Sequence, residues 1–334
     1  MKTPEFNIQV ISENNMNHIK LPLKTNTVKL KKELDKIVLR GWHTQKPFST
    51  SGVPGLTTTT YHEGGWKIIS LRSIGGDSDR TDPGGPSLVD YEYTNYLDVA
   101  PYMKSILNQF GSYVRTARLS VLNPGEKINR HCDTYIAFKY GQVRLHIPII
   151  TNDKVEVNIS GESQNWGEGE LWYGDFSKNH SVINNGNTPR IHLIFDVCLS
   201  SQLLSIFPEE FISKIDHRDF LIHKKGISLH NINLKKYECS FILSAGVIKG
   251  IFEFDDGIPG EYLGRISVSN NKLVFYINNS PISTLVPVSD SEFRFMGWSM
   301  ERLILIELGG EKVTSLSFKI VSGRYFTSVK VPVL

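Results

Sequence analysis

A chain of 334 residues with 40% hydrophobic and 21% charged side chains can bury a full core, as one large domain or two ordinary ones, which excludes a disordered or low-complexity protein. The formal net charge of +3 is small, and the densest lysine run, residues 29–36, is mixed with acids at helical spacing, so a nucleic-acid partner is not expected. Three scattered cysteines make no disulfide framework, no apolar run reaches membrane-spanning length, and the first fifteen residues lack a signal-peptide core. A cytoplasmic protein with no membrane partner is expected.

In chain order, residues 27–39 predict an amphipathic helix, with Val28, Leu30, Leu34, Ile37, Val38 and Leu39 on or near one face. A polar stretch follows over 49–60, and Gly64-Gly65 then feeds an expected strand through 66–71. The Gly, Pro and Asp content of 75–87 rules out regular structure and marks a long loop, for which a flap over an active site is one use. Residues 101–110 predict a short helix with Pro101 in its first turn. Short strands divided by turns are expected at 115–122, 134–138, 143–150, 155–159, 169–173, 180–183 and 190–198, a series that suggests a sandwich, jelly roll or barrel. Cys132 and Cys198 lie in or beside these strands, where a buried free thiol is the ordinary finding. Helices are expected at 201–207 and 208–215, and everything beyond about 220 reads as strands joined by hairpin turns. The chain therefore divides into residues 1–216 and a smaller all-β domain, 217–334.

The chemistry concentrates in Asn129-Arg130-His131-Cys132-Asp133. In extended chain His131 and Asp133 point to one side and can reach one metal ion. Two histidines and one carboxylate on one face of an octahedron leave three positions open, the arrangement of non-haem Fe(II) oxygenases. The tripeptide alone is a weak signal. His180, after the turn 174–179, is well placed on a returning strand to supply the third ligand, and Arg190 opens the next strand ten residues on. A buried guanidinium offers the two-pronged donor that a dicarboxylate needs. Arg144 and His146 share one strand face and are placed to line the same pocket; His146 and His192 each share a face with an arginine and read as pocket-lining. Asp175 and Asp196 read as turn and strand-end residues.

The run RLHIPIITND, followed by GEGELWYGDFSKNHSVINNGNTPRIHLIFD, resembles the corresponding segment of the bacterial free-proline cis-hydroxylases, and more distantly is similar to the aspartyl/asparaginyl β-hydroxylase family of 2-oxoglutarate oxygenases. Gly64-Gly65-Trp66-Lys67 and Ala117-Arg118-Leu119 resemble the same pattern, so the likeness spans roughly residues 60–200. It implies a double-stranded β-helix (jelly-roll) core with flanking helices. It also implies iron on His131, Asp133 and His180, with Arg190 on the far carboxylate of 2-oxoglutarate. Arg118 then becomes a candidate for a substrate carboxylate, although an internal acid would serve it equally well, and Trp66 a candidate substrate platform or a core residue. The β tail departs from the helical extension expected of proline 3-hydroxylases.

The resemblance implies Fe(II), 2-oxoglutarate and O2 as cofactor and co-substrates, and hydroxylation of an unactivated C–H bond of an amino acid, either free and proline-like or borne on a carrier or peptide. The alternatives are a peptidyl Asp/Asn β-hydroxylase and a catalytically silent jelly-roll binding protein. All three expected ligands precede residue 216, so the tail is not expected to contribute to the iron site.

Overall fold

Apolar and polar residues alternate along 142–147 and 190–193, and a computed structural model shows both sides of that alternation in use. It describes residues 17–44, 67–228, 233–252 and 260–334; the expected platform residue Trp66 lies outside them. The chain runs β1 (His18–Lys24), α1 (Thr27–Val38), β2 (His43–Thr44), β3 (Lys67–Ile74), β4 (Tyr91–Tyr93) and α2 (Pro101–Asn108). Then come β5 (Val114–Leu122), β6 (Lys127–His131), β7 (Gln142–Ile150), β8 (Val155–Ile159), β9 (Glu162–Gln164), β10 (Glu170–Gly174), β11 (His180–Asn184) and β12 (Arg190–Cys198). These strands form the two facing layers of a jelly roll. One is ordered β1-β10-β7-β12-β5-β3-β2 with β4 on β3, the other β6-β11-β8-β9.

On β7 the outward set is Val143, Leu145, Ile147 and Ile149; on β12 it is Ile191, Leu193, Phe195 and Val197. These pack against Leu30, Leu34 and Ile37 of α1 and Met103, Ile106 and Leu107 of α2. The inward sets carry the polar residues Gln142, Arg144 and His146, and Arg190, His192 and Asp196, all buried, with the apolar Ile194 and Cys198 beside the latter. Because the side-chain period is two, one strand sequence builds a core on one side and a site on the other. The Asn26 side chain caps α1 by accepting from the Lys29 N–H at 3.0 Å. Glu33, on the buried face of α1, accepts from the Tyr102 and Met103 N–H groups at 2.8 and 2.9 Å. A carboxylate there complements the α2 N-terminus. Val28 and Leu39 point to solvent, 75% and 86% exposed, so the apolar face of α1 is narrower than its composition implies.

The last part of the chain forms its own sheet: β13 (Cys239–Ser244), α3 (Ala245–Phe252, after two single-turn helices within 201–212), β14 (Glu261–Ser269), β15 (Lys272–Ile277), β16 (Ser280–Pro287), β17 (Glu292–Phe295), β18 (Arg302–Gly309), β19 (Lys312–Ser322) and β20 (Tyr325–Val331). Each strand pairs with the next, and Phe241 pairs with Val333 to bring the chain end back to the first strand, closing a barrel. Phe241, Phe275, Phe293, Phe295 and Phe318 fill its interior, with Ile248, Ile251 and Phe252 of α3 packed among them.

Three expectations are corrected. Residues 134–138 are turn rather than strand, because Tyr135 adopts a left-handed φ of +59°. Residues 245–252 are helical within the expected all-strand tail; Ile248, Ile251 and Phe252 recur at helical spacing toward the barrel core. Cys132 is exposed, since it sits between two residues that turn the other way. The loop 75–87 is irregular as expected, but Ser87 exchanges backbone hydrogen bonds with Met296 and Thr284 of the barrel at 3.0 Å each. Among the described residues no helix is long and apolar enough to cross a membrane.

Candidate metal centre

His131 ends β6 and His180 begins β11, and the two are direct cross-strand partners. Their rings lie 4.1 Å apart. Asp133 follows the strand end, anchored by its N–H to the Phe176 carbonyl at 2.8 Å. One donor atom from each of His131, Asp133 and His180 lies within 4.8 Å of the others, with His131 Nε2 3.5 Å from Asp133 Oδ1.

Both imidazoles are oriented from behind. His131 Nδ1 lies 2.7 Å from the Asn129 carbonyl and His180 Nδ1 3.0 Å from the Lys178 carbonyl. A carbonyl only accepts, so each Nδ1 carries a proton, which leaves each Nε2 as the atom that would meet a metal, the outer-shell arrangement of metal-binding histidines. Burial, opposed by the Asp133 charge, brings His180 down to about 4, so it is neutral at pH 7. Burial also lowers His131, but the Asp133 hydrogen bond and charge outweigh it and the net shift is upward. Burial raises the Asp133 carboxyl, yet Arg144 and the two histidines hold it well below the usual carboxylate range. The donor set suits a divalent ion of borderline hardness such as Fe(II).

Arg144 spans two carboxylates. Its Nε and Nη2 donate to the two oxygens of Asp196 at 2.7 and 3.0 Å, and its Nη1 is ion-paired with Asp133. Thr116 Oγ1 donates to Asp196 Oδ2 at 2.9 Å. Arg118 Nη1 reaches the same oxygen only at 3.8 Å, and Thr116 Oγ1 at 3.4 Å. Burial, reinforced by the neighbouring Arg144 charge, brings Arg118 down to about 10. Asp196 is thus an interior counter-charge rather than a strand-end residue. Counting by twos from Arg190 would have placed it on the inward face.

Arg190 lies deeper. It is 1% exposed, its Nε has no hydrogen-bond partner among the described residues, and burial alone brings it down to about 9. Next to it, His146 and His192 face each other Nδ1 to Nδ1 at 3.4 Å, and the Nε2 of each lacks a partner among the described residues. Phe176 stacks on His146 at 4.8 Å, and Trp166 stacks on Trp172 at 5.6 Å. The structure therefore brings together His131, Asp133 and His180, and places Arg118, Arg144, His146 and Arg190 on one inward surface beside them. Thr116, Trp166 and Phe176 also border this surface. Nothing in their sequence spacing marked the two aromatic residues, which arrive there through turns.

A profile of the family described as aspartyl/asparaginyl beta-hydroxylase matches residues 24–199. An L-proline cis-4-hydroxylase of Rhizobium meliloti (strain 1021) is 25% identical over 174 residues, which cover 49% of this chain and 59% of that relative. Similar solved structures include an oxidoreductase of the 2OG-Fe(II) oxygenase family from Burkholderia pseudomallei, 14% identical with a TM-score of 0.34 over 54% of this chain and 85% of that one. Another is a Trichoplax adhaerens prolyl hydroxylase in complex with a hypoxia inducible factor peptide fragment, 12% identical with a TM-score of 0.36 over 58% of this chain and 89% of that one.

Proposed function

Because this chain belongs to the aspartyl/asparaginyl β-hydroxylase family, we propose that it is an Fe(II)- and 2-oxoglutarate-dependent dioxygenase that hydroxylates an unactivated C–H bond of an amino acid. The observation that carries this reading is Arg190. Among the described residues no acid pairs with its guanidinium; a guanidinium buried without a counter-charge costs several kcal/mol, and a carboxylate that enters as ligand removes that cost while receiving two parallel hydrogen bonds. His131, Asp133 and His180 would hold the iron, in residues 1–216, which we take as the catalytic unit; residues 217–334 form the accessory unit.

Bound iron, 2-oxoglutarate and O2 supply the oxidation: one oxygen atom becomes the product hydroxyl, the other enters succinate, and CO2 is released. The protein's own residues orient and neutralise. Arg190 takes the far carboxylate of the co-substrate at the inner end of the site. The neutral rings of His146 and His192 line its path without adding charge. Arg144 holds Asp133 and Asp196 in place and so fixes the carboxylate ligand's direction. Phe176, Trp166 and Trp172 exclude water from that side.

The charge balance extends to the substrate. Arg118, Arg144 and Arg190 outnumber Asp133 and Asp196 by one, so a divalent ion and a dicarboxylate leave one positive charge over. Arg118, whose nearest acid oxygen is 3.8 Å away and shared with Arg144, is the residue we assign to a substrate carboxylate. A free, proline-like amino acid fits that assignment; the relative from Rhizobium meliloti is named for the same class of substrate. The test loads the protein anaerobically with Fe(II), supplies 2-oxoglutarate, and admits air in the presence of free amino acids or short peptides. Succinate and a product heavier by one oxygen are read by mass spectrometry. Turnover of a free amino acid is expected. Turnover of Asp- or Asn-containing peptides alone would replace the substrate assignment, and absence of iron-dependent succinate would reject the enzyme.

A further inference from the structure

We infer that the C-terminal barrel is a working part of the metal site, and that Arg302 is a positioning residue which holds the chain leading out of Asp133. This rests on the reading that His131, Asp133 and His180 bind the metal. The segment 134–141 joins ligand Asp133 to β7, whose Arg144 grips Asp133 in turn. Its far half is held by a tight turn over Phe138–Tyr140 with Phe138 in the jelly-roll core, but its near half is irregular, and Tyr135 sits in the left-handed region at φ +59°, which an aromatic residue rarely adopts unless its surroundings impose it. Tyr140 packs edge-on against the Tyr135 ring at 5.0 Å, and the barrel supplies contacts of its own. The Arg302 guanidinium lies 3.9 Å from the Tyr135 ring and 4.2 Å from the Trp298 ring, stacked against both aromatic faces. Arg302 is 3% exposed, so these contacts are desolvated, where a cation over an aromatic face is strongest. Further along, the Gly323 N–H donates to the Lys139 carbonyl at 2.7 Å, and Ser299 Oγ to the Gly141 carbonyl at 2.9 Å. From within the jelly roll, Gln142 Nε2 donates to the Tyr135 carbonyl at 2.7 Å.

The barrel strip that makes these contacts is itself held on its other side. Tyr91 donates its hydroxyl proton to the Gly297 carbonyl at 3.0 Å. Gly297 has φ +88°, and a Cβ there would lie 1.8 Å from the Gly85 carbonyl oxygen, so only glycine permits the approach. Residues 296–302 are thus wedged between the loop 85–91 and the metal-side segment. The barrel's interior is packed with phenylalanine, so its contribution to the site is made from its outer surface.

The probe is cobalt(II), which reports its coordination by visible absorption. It is titrated anaerobically into the full-length wild type, Arg302→Ala, Arg302→Lys, Tyr135→Leu, Tyr135→Phe and His131→Ala. If the contact positions the ligand loop, Arg302→Ala and Tyr135→Leu each weaken cobalt binding by roughly 10-fold or more, as outer-shell losses do. Tyr135→Phe, which keeps the aromatic face, binds like wild type, and Arg302→Lys recovers part of the loss. The double variant Arg302→Ala/Tyr135→Leu is no weaker than either single one, because both remove the same contact. A wild-type cobalt affinity and spectrum in Arg302→Ala overturns the inference. Where that variant does not fold, wild-type affinity in Tyr135→Leu overturns it instead. Equal cobalt binding by wild type and His131→Ala rejects the metal reading itself, an outcome distinct from a wild-type result at Arg302 alone.

Discussion

Replacing Arg190 with Met separates a binding charge from a structural one. The guanidinium is 1% exposed, and burial alone brings it well below the usual arginine range, to about 9. Burying a guanidinium without a counter-charge costs several kcal/mol. Relaxation reduces it, and exchanging buried charge for well-packed apolar side chain gains about 1–4 kcal/mol in comparable cases. Met matches the length of the arginine stem and leaves little void. The ligand-free Arg190→Met protein is therefore expected to melt several degrees above wild type, at about 2–4 °C per kcal/mol for a domain of this size. Saturating 2-oxoglutarate reverses the order. At 100 times its Kd a ligand adds about 2.7 kcal/mol to the wild type, and a variant without the charge-assisted fork gains little. Differential scanning calorimetry with and without 2-oxoglutarate, in a non-oxidising divalent metal, reads both effects. A variant that melts below wild type and is still raised as much by 2-oxoglutarate would refute both the uncompensated charge and the assignment of its partner.

Further outcomes follow from the same geometry. His131→Ala and His180→Ala are each expected to abolish Fe(II) binding and turnover, measured by anaerobic titration, since two remaining ligands hold a labile divalent ion poorly; full activity in either removes the assignment. Arg118→Ala should raise the amino-acid requirement while 2-oxoglutarate consumption without substrate stays near wild type, and an unchanged substrate KM would favour a peptidyl substrate. Burial holds His146 and His192 well below 6.5, with the Arg190 charge adding to both. The unfolded chain therefore binds protons that the folded one refuses. Their contribution to stability is complete above pH 6.5 and is lost as pH falls, by about 1.4 kcal/mol per unit per histidine. Urea midpoints between pH 7.5 and 5 should fall less steeply in His192→Leu than in wild type, and equal slopes would show that His192 is protonated in the folded state.

What the chain determined locally was already legible along its length. Alternation over 142–147 and 190–193 marks strands with two distinct buried faces, and β12 begins at Arg190 where its pattern does. The inward Arg190 follows from the period of two, because a strand's face depends only on its own residues, whereas Asp133 lies just beyond β6 and His180 reaches His131 through strand pairing. Three features needed the tertiary structure. Tyr135 turns left-handed, so an apolar run that reads as a strand becomes the exit of a ligand loop. Asp196 becomes an interior counter-charge because Arg144 and Thr116 from two neighbouring strands converge on it. Arg302 reaches Tyr135 from 167 positions away along the chain. Each of these depends on which strands become neighbours. Pairing is settled by burying many apolar faces together, and no residue's own spacing records it.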